Sequence, residues 1–352
     1  MMQLSELETP AVTIDMDRLE ANIRRAQAQL ERHGVANRPH IKTHKIPAIA
    51  KMQMQAGAIG ITCQKLGEVE TFIDEGAADD ILLTYNVVGE AKAERLIALS
   101  KRIGRLAVVL DNEIVARGLS EAARRLDGDI RFLIECDTGM GRNGVQSPQE
   151  AFGLAQLAMN LPRLHFEGLM TFPNGAKTGP FFEQALRLFA DAGIPVPVVS
   201  GGGSPALKTV GDFPMMTEHR AGTYVYNDVM MVTAGAATWD DCAMQVRLTV
   251  VSRPNADRAT LDAGSKVLTS DLYFLKDYGR VVEYPEARIV ALSEEHATVD
   301  LSACKEKPAI GETVNVIPNH CCVVSNMVDE VYGVRNGAVE VVWPVAARGK
   351  VR

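Results

Sequence analysis

The feature that most constrains the fold is a strand–helix unit that occurs eight times between residues 38 and 222. Short apolar runs alternate there with amphipathic stretches of helical period. The runs are RPHIKT, GITCQ, ILLTY, LAVVLD, IRFLIECD, LHFEGLMTF, PVVSGG and MMTEHRAG. Such alternation is typical of a parallel sheet, and eight units suit a closed barrel. The sequence therefore predicts an α/β fold, a TIM (β/α)8 barrel.

The pattern changes near residue 231. MQVRLTVVSR, TVNVIP and AVEVVWPV alternate apolar and polar residues with period two, and no long amphipathic helix separates them. This predicts a second, antiparallel β domain. We place the barrel at 12–230 and the β domain at 231–352 together with 1–11. The opening strand AVTIDM (11–16) precedes the regular alternation and could join the β domain instead.

The composition excludes several classes of protein. The 352 residues are 47% hydrophobic and 23% charged, with a net charge of -7, as in a soluble globular protein. Neither nucleic acid nor an anionic membrane is an expected partner. We see no signal peptide and no apolar run of about 18 residues. Six scattered cysteines favour reduced thiols and a cytoplasmic protein.

Unusual polar clusters fall where the predicted barrel strands end. They are HIKTHK, TCQK, ECDTGMGR, MTFPNG, SGGGSP and HRAGTY. A barrel of this type carries its chemistry at the C-terminal ends of its strands. These clusters are therefore the candidate functional residues.

Lys42 ends the RPHIKT run, between His40 and His44. An amine held near other cations at a barrel mouth can act as a nucleophile. The alternative is an ordinary surface lysine in a loop.

The SGGGSP segment (200–205) places three glycines between a strand and a helix. Glycines let backbone N–H groups approach a phosphate, with Ser204 at the helix start. Gly222 and Thr223, after the last strand, could complete this cradle. The alternative is a tight turn with no ligand.

Arg142 follows two glycines in ECDTGMGRNGV (135–145). Its guanidinium could bind a phenolate or carboxylate oxygen with two hydrogen bonds. The alternative is an ion pair with a local acid such as Asp137.

His320 and Cys322 are two positions apart in PNHCC (318–322), so on a strand or turn both could point the same way. Imidazole with thiolate suits Zn²⁺. Two ligands are fewer than the four of a structural site, so a metal here would keep open positions. The alternative is a coincidental pair.

Together these motifs resemble the fold-type III enzymes that use pyridoxal 5′-phosphate (PLP), in their D-threonine aldolase and D-serine dehydratase branch. RPHIKTHK, ITCQKLGEVE, ECDTGMGRNG, SGGGSP, HRAGTYVYND, DAGSK and PNHCC carry the resemblance across nearly the whole chain. It implies a Schiff base between PLP and Lys42, with Arg142 at the phenolic oxygen. Arg220 would face the pyridine nitrogen, unless it instead forms a salt bridge with Glu218.

The resemblance also implies a divalent metal (Zn, Mn or Mg) held by His320 and Cys322, and a homodimer. Lys42 and His320 are the expected catalytic residues. The full set of expected cofactor contacts is Lys42, His40, Gln64, Arg142, Ser200, Gly202, Gly203, Ser204, Arg220, Gly222, Thr223 and Tyr224.

The expected function is a PLP- and metal-dependent lyase acting on β-hydroxy-D-amino acids. D-threonine aldolase-like cleavage to glycine and an aldehyde is favoured by overall resemblance. Dehydration of D-serine or D-3-hydroxyaspartate to a 2-oxo acid and ammonia is the alternative, because the histidine–cysteine pair resembles that of the dehydratases. A racemase and a non-catalytic PLP carrier are further alternatives. The segment TFPNGAKTG (171–179) departs from many relatives, which leaves the substrate open.

Overall fold

The first strand and the first helix precede the alternating region. They are β1 (Ala11–Asp15) and α1 (Met16–Arg32) in the computed structural model, which describes residues 2–352. The Asp15 carboxylate accepts a hydrogen bond from the Arg18 backbone N–H (3.0 Å) at the start of α1, which stabilises an otherwise unpaired donor of the first turn. Gly34, with φ of 67°, follows the end of the helix.

Eight parallel strands follow. They are β2 (Ala36–Asn37), β3 (Ile61–Cys63), β4 (Asp80–Leu83), β5 (Arg105–Leu110), β6 (Ile130–Cys136), β7 (Leu164–Thr171), β8 (Val198–Gly201) and β9 (Glu218–His219). Their order in the sheet is β2-β9-β8-β7-β6-β5-β4-β3. The backbone N–H groups of Ile59 and Thr62 donate to the carbonyls of Asn37 (2.9 Å) and Pro39 (2.8 Å), so the two ends of this order are joined. The predicted parallel barrel is thereby confirmed.

Helices connect the barrel strands. They are α2 (Pro47–Gln55), α3 (Leu66–Asp74), α4 (Glu90–Ser100), α5 (Glu113–Arg125), α6 (Pro148–Met159) and α7 (Thr178–Asp191). A kinked 3-10 stretch, Ser204–Asp212, links β8 to β9. The strands are buried almost throughout, as expected for a parallel sheet covered on both faces. Five side chains form a cluster in the core: Leu82, Ala107, Val109, Leu133 and Met170.

The run RPHIKT is not a strand over its whole length. Its last hydrogen bond to the β9 side is donated by the His40 N–H to the Ala221 carbonyl (2.8 Å). The chain then turns into a single 3-10 turn, Ile41–Thr43. Lys42 therefore lies in a turn just beyond the strand. The direction of its side chain is not set there by the alternating pattern of a pleated strand.

The second sheet has nine strands. The eight that follow the barrel are β10 (Met244–Asn255), β11 (Arg258–Leu261), β12 (Arg280–Val281), β13 (Arg288–Leu292), β14 (Ala297–Asp300), β15 (Thr313–Ile317), β16 (Glu330–Arg335) and β17 (Ala338–Pro344). The order is β11-β14-β13-β12-β15-β10-β1-β16-β17, with β10 also paired to β11. Every pair is antiparallel except β1 with β16. Buried and half-buried residues alternate in β10, which agrees with the period-two pattern.

The opening strand belongs to this second sheet. β1 pairs with β10 and β16, whereas the boundary at residue 12 had assigned it to the barrel. Its hydrogen-bond partners are more than 200 residues away in the chain, and a local pattern does not reveal them.

The chain forms two compact units. The barrel unit comprises Arg25–Lys42, Pro47–Gly222 and Lys350–Arg352. The sheet unit comprises the residues up to Arg24, Thr43–Ile46 and Thr223–Gly349. Three short helices lie in the sheet unit: α8 (Val229–Thr233), α9 (Ser265–Leu268) and α10 (Cys321–Met327). Within residues 2–352, no helix combines the length and apolarity needed to cross a bilayer.

Candidate cofactor pocket and metal pair

One cavity lies at the C-terminal ends of the barrel strands, with an empty volume of about 310 Å³ that includes space open to solvent. Nine residues line it: His40, Lys42, Gln64, Thr84, Glu135, Arg142, Met170, Phe172 and Arg220. They come from six different strands or the loops that follow them, because parallel strands in a barrel all end at the same rim. Five of the predicted cofactor contacts are therefore brought together here.

The pocket is strongly charged around one aromatic ring. Lys42 Nζ and the Arg142 guanidinium carbon each lie 5.6 Å from the centroid of the Phe172 ring. Glu135 is 5% exposed, and its Oε2 has no hydrogen-bond partner. Burial raises the pKa of Glu135, the charge of Asp111 adds to this, and nearby Arg142 opposes it. Arg142 and Arg220 are the two cations that act on Glu135, and a polar ligand can satisfy its unpartnered oxygen.

Arg220 is held by two neighbours in the barrel unit. Its guanidinium donates to Ser200 Oγ (2.5 Å) and to the Thr171 carbonyl (2.6 Å). Burial lowers the pKa of Arg220 to about 10, although Glu218 and Glu135 act to raise it. The alternative of a direct salt bridge with Glu218 is wrong, because Glu218 binds Ser200 and Arg38 and reaches Arg220 through the Ser200 hydroxyl. Ser200, predicted as a cofactor contact, is buried beneath the pocket.

His40 and Gln64 form one wall of the pocket. His40 Nε2 lies 3.3 Å from Gln64 Oε1 and 3.5 Å from Thr84 Oγ1. The Gln64 amide donates to the Thr84 carbonyl (2.6 Å). These contacts hold the His40 ring in place beside Lys42, whose backbone N–H points toward His40 Nδ1 at 3.4 Å.

The glycine run permits a backbone that other residues cannot adopt. Gly202 and Gly203 have φ angles of 103° and 145°. A Cβ on Gly202 would lie 2.4 Å from the His219 ring, and one on Gly203 would lie 3.1 Å from Phe172. Only glycine fits both constraints.

Ser204 and Gly222 meet next to this run. The Gly222 N–H donates to Ser204 Oγ (3.2 Å), and the Gly202 N–H donates to Asn174 Oδ1 (2.8 Å). Ser204 thus lies beside Gly222, and the N–H groups of Gly202, Gly203 and Gly222 all donate to side chains of the protein. The phosphate cradle stays a prediction. Thr223 and Tyr224 follow Gly222 directly, in the 3-10 turn Thr223–Val225 of the sheet unit.

The predicted metal pair lies at a helix start in the sheet unit, not on a strand. His320 is the residue before α10, and Cys322 is in its first turn. Asp228 is fully buried and fixes the His320 ring, with its Oδ2 3.1 Å from His320 Nδ1. Asp228 also accepts from the backbone N–H groups of Cys321 (3.1 Å) and Met231 (2.9 Å). A carboxylate on Nδ1 leaves Nε2 as the ring nitrogen available to a metal.

The pair is also arranged electrostatically. Burial lowers the pKa of His320, but Cys322 and Asp228 outweigh it and raise the value to about 10. The hydrogen bond from the Cys321 thiol lowers the pKa of Cys322, and His320 lowers it further against the effect of burial. Both effects favour the thiolate form of Cys322, which is the form that binds metals. Cys322 Sγ lies 3.2 Å from Thr43 Oγ1 and 3.9 Å from Thr223 Oγ1.

Over residues 2–352, no three histidine, cysteine, aspartate or glutamate side chains are clustered closely enough to bind a metal ion together. An imidazole and a thiolate nevertheless fit a borderline cation such as Zn²⁺. The donor set thus suits a metal that keeps open positions for other ligands.

The family comparison agrees with this geometry. Residues 14–229 match the family described as alanine racemase, N-terminal domain, and residues 243–334 match the putative serine dehydratase domain. The chain belongs to the fold-type III PLP-dependent enzymes. The resemblance inferred from the motifs is confirmed.

Several relatives of this PLP-dependent enzyme are named lyases. A D-threonine aldolase from Arthrobacter sp is 33% identical over 98% of this chain and 94% of its own. The crystal structure of a D-threonine aldolase from Filomicrobium marinum is 31% identical, covers 100% of this chain and 98% of its own, and has a TM-score of 0.93. A D-threo-3-hydroxyaspartate dehydratase from Delftia sp. HT23 is 26% identical over 98% of this chain and 99% of its own, with a TM-score of 0.89. A cysteine-to-alanine variant of a dehydratase of that name is described as solved in a metal-free form.

The barrel pocket of this PLP-dependent enzyme fits its cofactor. Lys42 offers an amine for the aldehyde, the unpartnered Glu135 Oε2 and two arginines offer polar and charged groups in the same pocket, and the glycine-only turn lies beside Phe172. Sequence reasoning missed several residues that shape the two sites. They are Thr84, Glu135, Met170, Phe172 and Asn174 in the barrel unit, and Thr43 and Asp228 in the sheet unit. Glu135 and Asp228 stand inside motifs already noted, ECDTGMGR and HRAGTYVYND, but an acid next to a strand has no distinctive spacing.

Proposed function

We propose that this enzyme is a lyase that cleaves β-hydroxy-D-amino acids, with Lys42 as the residue that binds PLP. The observation that carries the proposal is the placement of Lys42 in one pocket with Arg142 and Arg220. The turn that only glycine can form lies next to Phe172 of that pocket. The lyases named among its relatives support the substrate class.

Three pocket residues have a proposed task in binding or proton transfer. The Lys42 amine binds the cofactor covalently, and once released it takes or returns a proton at Nζ. Arg142 binds the phenolic oxygen, and the charge of Arg220 disfavours protonation of the pyridine nitrogen. Bound PLP supplies an electron-withdrawing ring that stabilises negative charge at the substrate Cα.

The sheet unit would supply the second cofactor. We propose that His320 and Cys322 bind a divalent metal, with Asp228 orienting the imidazole. A divalent metal there would lower the pKa of a coordinated hydroxyl group. The metal-free cysteine variant of the dehydratase relative supports a metal role for a cysteine in this family.

The same residues serve two reactions. In the aldolase, the β-hydroxyl loses its proton and the Cα–Cβ bond breaks, which yields an aldehyde and, after protonation at Cα, glycine. In the dehydratase, the Cα proton and the β-hydroxide leave, and hydrolysis of the resulting enamine yields a 2-oxo acid and ammonia. We favour the aldolase because the Arthrobacter D-threonine aldolase is 33% identical. The histidine–cysteine pair favours the dehydratase, which we keep as the second candidate.

One assay separates these candidates. Purified protein with PLP and Mn²⁺ or Zn²⁺ is incubated with D-threonine, D-serine and D-3-hydroxyaspartate. Glycine with an aldehyde supports the aldolase. Pyruvate, 2-oxobutyrate or oxaloacetate supports the dehydratase. L-isomers formed without metal, or bound PLP with no turnover, would contradict both and support a racemase or a PLP carrier.

The cytoplasmic location and the homodimer expected from the sequence stay predictions. The roles of Thr223 and Tyr224 as cofactor contacts do so as well. Sedimentation equilibrium of the PLP-loaded protein at two concentrations tests the dimer directly.

A further inference from the structure

A continuous series of buried polar side chains runs through the barrel unit to the pocket. We call Arg38, Glu218, Ser200 and Arg220 the buried ion chain. Arg38 Nε donates to Glu218 Oε2 (2.8 Å), the Ser200 hydroxyl donates to Glu218 Oε1 (2.6 Å), and Arg220 donates to Ser200 Oγ (2.5 Å). Each of the four residues is less than 5% exposed. The mechanism above uses only Arg220.

The direction of these hydrogen bonds is fixed by chemistry. A guanidinium can only donate and a carboxylate can only accept, so the single Ser200 proton must point to Glu218. The Ser200 lone pairs then face Arg220. Glu218 polarises the Ser200 hydroxyl, and this makes Ser200 Oγ a stronger acceptor for Arg220. The two ionised groups therefore interact through Ser200 and make no direct hydrogen bond.

The outer end of the buried ion chain is anchored near the strand starts. Arg38 also donates two hydrogen bonds to Asp80, at 2.6 and 3.2 Å. Asp80 in turn accepts from Arg105 (2.5 Å). Burial lowers the pKa of Arg38, but Glu218 and Asp80 outweigh burial and raise it. Gly60 leaves room for this arginine, since a Cβ there would lie 2.5 Å from its Nη1.

The buried ion chain compensates the buried charge of Arg220 at the pocket. Arg220 must stay charged and fixed although it is buried, and a buried cation without a partner is strongly disfavoured. Glu135 also acts on Arg220 from β6, but it raises the pKa of Arg220 less than Glu218 does. Glu218, which is linked to Arg220 through the Ser200 hydroxyl, is therefore the main negative charge that acts on Arg220.

We propose that Arg38, Glu218 and Ser200 are positioning residues that hold the Arg220 guanidinium in place and charged for the group bound in the pocket. The identification of that group as PLP rests on the proposed function. The contacts that hold Arg220 are independent of the proposed function.

The test uses three variants, S200A, E218Q and R38M, with E70Q as the control. Glu70 is a carboxylate of the barrel unit that is paired with an arginine, Arg95, and this pair lies apart from the buried ion chain and Asp80. PLP affinity and the absorption spectrum of bound PLP are measured on each reconstituted protein. S200A and E218Q should weaken PLP binding about tenfold and shift the absorption maximum, because a hydrogen bond to a charged group is lost. E70Q should stay within about twofold of the wild type.

A double-mutant cycle of R38M and E218Q tests whether Arg38 acts on PLP affinity through Glu218. If Arg38 acts through Glu218, R38M should weaken PLP binding in the wild-type background but add nothing in the E218Q background. Independent, additive effects in this cycle would contradict the proposed chain. Thermal unfolding of each variant without PLP identifies any that fail to fold, and S200A, the smallest change, then carries the test.

Crystal structures of S200A and E218Q without PLP separate this inference from the proposed function. The Arg220 guanidinium should leave its position beside the Thr171 carbonyl in both. An unchanged Arg220, with PLP affinity and spectrum also unchanged in folded variants, would overturn the inference. A wild-type protein that binds no PLP would instead overturn the proposed function, and the position of Arg220 in the two crystal structures would still decide the inference.

Discussion

The barrel pocket and the metal pair are assembled in opposite ways. The pocket side chains come from six strand ends spread over residues 40 to 220. The metal pair comes from one helix start, and a single carboxylate, Asp228, orients its histidine. A site of the first kind forms only when the whole barrel closes. A site of the second kind needs one local turn and one distant partner.

The two sites also differ in how their charges are balanced. In the barrel unit the compensation is spread along several residues, from Asp80 through Arg38 and Glu218 to Arg220. In the sheet unit the imidazole and the thiolate of His320 and Cys322 stabilise each other directly. We therefore expect single substitutions to disable one site and spare the other.

Replacing Lys42 should have the largest effect, and it should disable the barrel pocket while sparing the metal pair. K42A removes the amine that binds PLP, so we expect activity to fall by about 10⁴-fold or more. Borohydride should no longer attach PLP to the protein, while calorimetry should show unchanged Zn²⁺ binding. K51A, an exposed lysine on α2, is the control. Covalent PLP trapping that persists in K42A would contradict the assignment.

Replacing His320 tests the other side. H320A should leave the absorption of bound PLP unchanged but abolish activation by divalent metal, a loss of roughly 10²–10³-fold in kcat, because metals supply several kcal/mol of stabilisation. Wild-type enzyme treated with EDTA should show the same loss of kcat as H320A. H165A, at an exposed histidine paired with Asp129, controls for the loss of an imidazole. Equal metal activation in H320A and wild type would rule out the pair as the metal site.

Weakening the orientation of the pair should have a smaller effect. D228N keeps the shape of the side chain but removes the charge that faces His320 Nδ1. Loss of such a carboxylate lowers metal affinity about 10–100-fold. Isothermal titration with Zn²⁺ measures this, with D240N as an exposed control. Unchanged affinity in folded D228N would mean that the ring is positioned by other contacts, such as the edge of the Tyr273 ring.

The smallest expected effect concerns His219, beneath the glycine run. Burial lowers the pKa of His219 to about 4, against about 6.5 in an unfolded chain. Between these pH values the unfolded state binds the proton, so the free energy of unfolding falls as pH falls through this window. The free energy of unfolding should therefore fall less between pH 7.5 and pH 5 in H219Q than in the wild type, by about 1–2 kcal/mol.

Urea unfolding at the two pH values measures this difference. H296Q, at an exposed histidine of the sheet unit, is the control for removing one imidazole. An identical pH dependence in H219Q and wild type would show that His219 is not held neutral next to Gly202.

Much of the fold was predictable because its patterns are local. Eight apolar runs separated by helical periodicity predicted the barrel, and period-two alternation predicted the second sheet. The opening strand was left open between the two sheets, since AVTIDM has the same pattern in either one, and its pairing with β10 and β16 places it in the second sheet. Lys42, Arg142 and Arg220 were found from motif positions at strand ends, and the structure brings all three to one cavity.

The amino-acid sequence by itself determined which residue types stand at the strand ends and where the periodicity changes, because both depend on neighbours a few positions away. The tertiary structure alone decided that Ser200 lies between Glu218 and Arg220, that Glu135 faces the pocket, and that Thr223 lies beside Cys322. These contacts join residues distant in the chain. Their existence depends on strand register and burial, which no local pattern encodes.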